Sequence, residues 1–235
     1  MNSFNASARL KLGFRSMGLI DILIQEGWLK TPLIIEAFRG IKRRDFLPEE
    51  IKDLSDLNEA LSIGYGQTIS QPLVVAFMLE LLQPQPGEKI LDIGSGSGWT
   101  TALLAYCVSQ MPDQAQSPKF KNSEGKVIAI EIVPALKEFG EKNVAKYNFI
   151  KKEIAKFVLG DGTKGYAKEA PYDKILCSAA IEDEIPHAWK EQLKEGGRIV
   201  TPIRTSIWLF IKEKDKSFKT QEYPGFVFVP LISGE

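Results

Sequence analysis

The sequence predicts an α/β fold: a doubly wound, Rossmann-like architecture with a mostly parallel central sheet, an N-terminal helical extension and a C-terminal antiparallel hairpin. Three observations carry that expectation. From Lys89 onward, short apolar runs alternate with helix-length stretches, and strands separated by helices pair in parallel. A glycine-rich turn, Gly94-Ser95-Gly96-Ser97-Gly98, stands where the first of those runs meets a helix. The tail holds two strand-like runs joined by charged residues.

Each element follows in order. Residues 18–26 carry helix-compatible apolar spacing through Leu19, Ile20, Ile22 and Leu23. A second helix covers Pro32 to Phe38, with Thr31 as N-cap and proline at the first helical position. The basic cluster Lys42-Arg43-Arg44 reads as a solvated face, and Asp45-Phe46-Leu47-Pro48 ends that element. Residues 55–66 read as irregular and close on Gly64-Tyr65-Gly66. A third helix begins at Gln71-Pro72, with Leu73, Val74, Phe77, Met78, Leu81 and Leu82 on its apolar face and Thr68 or Ser70 as candidate caps. Gln83-Pro84-Gln85-Pro86-Gly87 is a breaker cluster and the strongest internal boundary. It divides one domain, 1–235, into a helical, substrate-side part (1–83) and an α/β core (84–235).

In that core, strands are expected at Lys89–Ile93, Val127–Ile132, Ala155–Leu159, Lys174–Ser178 and Arg198–Pro202. Helices are expected at Trp99–Cys107, Pro134–Tyr147 and Pro186–Leu193. The hairpin pairs Ile207–Glu213 with Phe226–Leu231. Ser109 to Lys126 is polar and aperiodic, an insertion longer than connections usually are.

Composition narrows the function. The 235 residues can bury one substantial core. Thirty basic residues balance thirty acidic ones, so no global field draws the chain to nucleic acid or an acidic membrane. No apolar run approaches the ~20 residues of a membrane span, and the N-terminus lacks an uninterrupted apolar signal segment. A cytoplasmic protein is expected. Cys107 and Cys177 lie in apolar runs and read as buried free thiols. The single histidine, His187, opens a helix and offers no serine a base, which argues against a serine hydrolase. No cysteine–histidine cluster has metal spacing, so no metal is expected.

The chemistry-bearing residues gather at strand ends. Asp92 precedes Gly94, Ser95, Gly96 and Gly98, whose turn permits close backbone approach to a ligand at a helix N-terminus. Glu131 ends the next strand and suits both hydroxyls of a ribose. Gly160-Asp161-Gly162 follows the third strand, where Asp161 can accept from an adenine amine and Gly162 can flank the ring. Together these point to an adenosine ligand at the carboxyl edge of the sheet. Asp92 matches a cationic amino-acid end, and the G-S-G-S-G spacing is tighter than that of nicotinamide proteins. S-adenosyl-L-methionine therefore fits better than a dinucleotide.

Several motifs, in order, resemble the protein-L-isoaspartate (D-aspartate) O-methyltransferase family. They are Arg44-Asp45-Phe46-Leu47-Pro48, Gly66-Gln67-Thr68-Ile69-Ser70-Gln71-Pro72, Leu91 to Gly98, Gly160-Asp161-Gly162, Ala170 to Ile175, Gln192 to Arg198 and Phe228 to Leu231. The glycine motif is shared by many methyltransferases, whereas Gly66 to Pro72 is specific to that family. The resemblance implies methyl transfer from S-adenosyl-L-methionine, with S-adenosyl-L-homocysteine as product, to the α-carboxylate of L-isoaspartyl and some D-aspartyl residues. The partners would be damaged proteins and peptides, and the enzyme a monomer. It implies Ser70 as the catalytic residue, cofactor contacts also from Gln67, Thr68, Ile69 and Trp99, and substrate contacts from Ile69, Ser70, Val229 and Leu231. The chain departs from the family at Val75, where some members have histidine, and at Arg204 to Ile207, where a glycine and a glutamine are missing. Two other readings stay open: a methyltransferase of the same fold acting on another carboxylate or a small molecule, and a silent cofactor-binding module.

Overall fold

The computed structural model describes residues 17–110 and 125–234. The expected long loop therefore lies almost entirely outside the described residues.

The N-terminal part builds α1 (Leu19–Gln25) and α2 (Pro32–Gly40), then two short 3-10 turns over Arg43–Phe46 and Glu49–Leu54. Thr31 does precede Pro32 at the start of α2, but its hydroxyl donates to Glu80 (2.7 Å) instead of capping the helix. Residues expected to be irregular form a two-stranded antiparallel hairpin, β1 (Leu61–Gly64) and β2 (Gln67–Ile69). Helix α3 (Pro72–Leu82) follows. Neither Thr68 nor Ser70 caps it; Asn58 Oδ1 takes that role across space, accepting from the Leu73 amide at 3.0 Å. Apolar periodicity located the helix, whereas a cap supplied from a distant loop leaves no local trace.

Strand β3 (Lys89–Ile93) leads into α4 (Trp99–Ser109), β4 (Lys126–Glu131) into α5 (Pro134–Ala145), and β5 (Ala155–Leu159) into a return to β6 (Tyr172–Cys177). Helix α6 (His187–Gln192), β7 (Leu193–Ile203), β8 (Ser206–Lys212) and β9 (Phe218–Pro224) complete the chain. The seven strands lie in the order β5-β4-β3-β6-β7-β8-β9. Strands β5 to β7 of that order pair in parallel, and β8 and β9 add an antiparallel edge.

Alternation along each strand sends side chains to opposite faces. Ile90, Val127, Ala129, Leu176 and Val200 join the core under α3, α4 and α5. Leu91, Ile93, Ile128, Ile130, Ile175 and Ile199 join a second core with Trp189 of α6. Both cysteines are free and buried, as expected, and burial pushes each thiol up to about 12.

The tail corrects one expectation. The partner of β8 is Phe218–Pro224, not Phe226–Leu231. Residues 226–231 instead cross the carboxyl edge of the sheet, where Ala180 and Pro230 form an isolated bridge flanked by Ala180 N–Val229 O (2.8 Å) and Leu231 N–Ala180 O (2.7 Å). Their apolar character reflects packing over that edge, not ladder pairing. The strand order reverses between β3 and β6, because β4 and β5 run outward on one side and β6 and β7 on the other. Such a switch point opens a crevice at the carboxyl ends of the strands.

Candidate active site

The crevice is a cleft with about 720 Å³ of empty space, counting its open mouth. Six segments wall it. Gln67, Thr68, Ile69 and Ser70 come from β2 and the approach to α3. Gly94, Ser95, Gly96 and Trp99 come from the turn after β3. Glu131, Ile132, Val133, Gly160 and Gly162 come from the ends of β4 and β5. Ser178, Ala179, Val229 and Leu231 close the far side. Residues distant in sequence thus converge on one edge because every parallel strand ends there.

The glycine turn has the conformation expected. Gly94, Gly96 and Gly98 all have positive φ (72°, 49° and 83°), a region that side chains avoid. Gly98 is also tightly packed: a Cβ there would sit 2.7 Å from Gly140 O on α5. Gly98 therefore seats α4 against α5 and does not itself line the cleft.

Asp92 is placed differently from the expectation of direct ligand contact. It is wholly buried within β3, one position behind the turn, on the face toward α4. Thr101 Oγ1 donates to its Oδ2 at 2.6 Å, while its Oδ1 has no partner. Burial pushes its carboxyl up to about 7, with the Thr101 hydroxyl working downward and the Glu131 charge adding to the rise. Its influence on the cleft is electrostatic, exerted through the turn that covers it.

Glu131 lines the cleft and is fixed by main-chain donors. The Gly96 amide reaches Oε2 at 2.9 Å, and the Ile132 and Val133 amides reach Oε1 at 2.9 and 3.0 Å. A carboxylate has about four acceptor sites, so one remains for a ligand hydroxyl. Asp161 is also turned inward. Its Oδ1 accepts from the Thr163 amide (2.9 Å) and hydroxyl (2.7 Å), and Lys164 lies 3.5 Å from Oδ2. Burial works against its charged form, but the Thr163 and Gly234 donors and Lys164 together hold the carboxyl below its usual value. The neighbouring Gly162 faces the cleft, and a Cβ there would meet Ile93 Cγ2 at 2.4 Å. Asp161 thus shapes the turn that presents Gly162.

Ser95 Oγ and Trp99 Nε1 are buried without partners at this rim. Buried polar atoms are normally satisfied, so these two donors fit a polar ligand that brings an acceptor. An amino-acid end with its ammonium and carboxylate is such a ligand, and an adenosine end fits the Glu131 and Gly162 side. Ser178, Ala179 and the 132–133 pair were not anticipated; the rule that open sheets bind at carboxyl strand ends marks their positions.

Residues 15–235 match the profile of the Protein-L-isoaspartate(D-aspartate) O-methyltransferase family. The chain belongs to the protein-L-isoaspartate (D-aspartate) O-methyltransferase family. A Methanopyrus kandleri protein-L-isoaspartate O-methyltransferase is 38% identical over 221 residues, covering 92% of this chain and 91% of its own. An Archaeoglobus fulgidus protein-L-isoaspartate O-methyltransferase 2 is 41% identical over 201 residues, covering 84% of each. In fold, the chain is similar to a Plasmodium falciparum structure assigned to the same enzyme class and solved with S-adenosyl-L-homocysteine. That match has a TM-score of 0.76 at 22% identity, over 92% of this chain and 97% of the other.

The chain departs from the family pattern at the β7–β8 turn and at Val75. Arg204 sits in the left-handed region (φ 53°) in the β7–β8 turn. Its amide donates to Ile181 O and its Nε to Glu182 O, both at 3.0 Å. Val75 is buried in α3 and takes part in the core. His187 is exposed and 3.5 Å from Glu191.

Proposed function

We propose that this chain transfers a methyl group from S-adenosyl-L-methionine to the α-carboxylate of L-isoaspartyl residues, and of some D-aspartyl residues, in damaged proteins. The observation that carries the chemistry is the polarity of the cleft. Among its described lining residues, Glu131 is the one ionisable side chain, and it is already engaged by three amides. Such a cleft holds no general base, and this reaction needs none: a carboxylate with an ordinary pKa of about 3.9 is ionised at neutral pH.

When bound, S-adenosyl-L-methionine supplies an electrophilic methyl carbon on a sulfonium. The chain's residues then have three tasks. The first is holding: the Gly94–Gly98 turn and the N-terminus of α4 receive the amino-acid end, with Asp92 behind them attracting its ammonium. Glu131 accepts from the ribose, and the Gly162 backbone flanks the adenine. The second is orienting: Ser70 donates its hydroxyl to the isoaspartyl carboxylate and aims one oxygen at the methyl carbon. The third is excluding water, which falls to Thr68, Ile69, Val229 and Leu231. Positioning of this kind can contribute roughly 7–11 kcal/mol to a bimolecular step. The product ester cyclises to a succinimide without the enzyme, and hydrolysis returns part of the material to normal aspartate.

On this reading, residues 1–83 supply the substrate side and 84–235 hold the cofactor within one domain. The enzyme is read as a monomer, and its balanced charge suits polypeptide substrates in the cytoplasm. No helix among the described residues is long and apolar enough to cross a membrane.

The test uses S-adenosyl-L-methionine labelled on the methyl and an isoaspartyl peptide. The label should enter an alkali-labile ester and leave as volatile methanol. Label that withstands alkali would reveal N-methylation and refute the reading. Ser70→Ala should lower kcat roughly 10–100-fold, the worth of about 1.5–3 kcal/mol for a hydrogen bond to a charged group, while cofactor affinity changes little.

A further inference from the structure

Arg43 belongs to the basic cluster expected on a solvated face, yet it is buried, with only 6% of its surface exposed. Among the described residues, its guanidinium meets main-chain carbonyls and one aromatic ring. Nη1 donates to Ser55 O (3.2 Å) and Leu57 O (3.0 Å). Nη2 donates to Glu59 O (2.7 Å) and Ser70 O (3.3 Å). The guanidinium carbon lies 5.4 Å from the centroid of the Trp99 ring. Burial lowers its pKa to about 10, with the Asp56 charge opposing the shift, so the group stays cationic at neutral pH.

Burying a guanidinium is costly, and carbonyl dipoles offset that cost only when the geometry is well matched. The partners explain the placement. Three carbonyls belong to the 55–59 connection, the fourth to Ser70, and the ring to the first residue of α4. One planar fork therefore joins the substrate-side loop, the segment that carries the catalytic hydroxyl and the cofactor-side helix. Ser70 lies between the end of β2 and the start of α3, so its peptide plane is set by neither ladder nor helix. A donor on its carbonyl sets the direction in which its Cα–Cβ bond points. Arginine suits this task and lysine does not, because the ammonium lacks a flat fork of fixed donors.

We infer that Arg43 is a positioning residue for methyl transfer, fixing the Ser70 backbone against the cleft rim formed by Trp99. The inference rests on the role proposed above for Ser70. The test is a double-mutant cycle on the full chain with Arg43→Lys, Ser70→Ala and the combination, assayed well below each variant's Tm. Arg43→Lys should lower kcat roughly 10–100-fold, the scale of a small misplacement at a reacting centre, with affinity for S-adenosyl-L-homocysteine held within about threefold. The combined variant should be within about threefold of Ser70→Ala alone, because the two losses run through one group. Added guanidinium should partly restore Arg43→Ala, whereas Arg44→Ala, on an exposed arginine paired with Asp53, should match the parent. Full kcat in folded Arg43→Lys overturns the inference, as do losses that multiply in the combined variant, which would indicate a merely structural tie. Full turnover in Ser70→Ala would instead remove the role of Ser70, and the inference with it.

Discussion

At the scale of single residues, the buried carboxyl of Asp92 makes the most distinctive demand. It lies behind the glycine turn with one oxygen on Thr101 and the other without a partner. Burial raises its pKa from 3.8 to about 7. The folded state therefore binds a proton more tightly than the unfolded chain between those values, and stability from this group falls as pH rises through that window. Its contribution is complete below the unfolded pKa and gone above the folded one. Asp92→Asn, which keeps the shape but cannot ionise, should flatten this dependence. The check is urea unfolding at several values between pH 5 and 8: the parent should lose stability relative to Asp92→Asn as pH rises, and parallel profiles would rule the prediction out. Bound S-adenosyl-L-methionine brings a cation toward the turn, so it should favour the ionised carboxyl and oppose the effect. Arg43 makes the complementary point. Nothing in Lys42-Arg43-Arg44 distinguishes the buried middle residue from its neighbours, because the distinction lies in carbonyls from residues 55 to 70.

At the scale of elements, legibility followed locality. Strands β3, β4 and β6 are runs buried on both faces, edge strand β5 alternates buried Ala155 and Phe157 with exposed neighbours, and helices α3 to α5 carry their own apolar patterning, so a short window identifies each. The β1–β2 hairpin escaped because its strands have four and three residues and its turn is Tyr65-Gly66, not the Asn-Gly that usually marks such turns. Both turn residues have positive φ, 56° and 70°, and Tyr65 is 66% exposed, so its ring gains little from burial. A bulky residue in the left-handed region costs roughly 1–2 kcal/mol, and asparagine less. Tyr65→Asn should therefore raise stability by about 0.5–1 kcal/mol in urea titration; an unchanged or lower midpoint would show that the turn is not strained. Strand β9 escaped for a different reason. It is an edge strand exposed along most of its length, so hydrophobicity does not trace it, and the apolar run at 226–231 drew the assignment instead. That run is apolar because it packs across the carboxyl edge beside Ala180.

At the scale of the whole molecule, the order β5-β4-β3-β6-β7-β8-β9 is what turns a scattered set of motifs into a site. The glycine turn, Glu131, Gly162 and Ser178 each end or follow a parallel strand, so their convergence was implicit in the alternating pattern. The direction each side chain takes was not implicit, which is why Asp92 and Asp161 sit behind the surface they were expected to form. The Gln67–Ser70 segment reaches the same cleft from outside the main sheet, held there by the Arg43 fork, the Asn58 cap and the β1–β2 pairing. Two subregions thus face one another across the place where methyl donor and carboxylate must meet. The most direct measurement offers the purified chain, with methyl-labelled S-adenosyl-L-methionine, two peptides that differ only in an L-isoaspartyl or a normal aspartyl linkage at one position. The account predicts labelling of the isoaspartyl peptide alone, whereas equal labelling of both, or of neither, would contradict it.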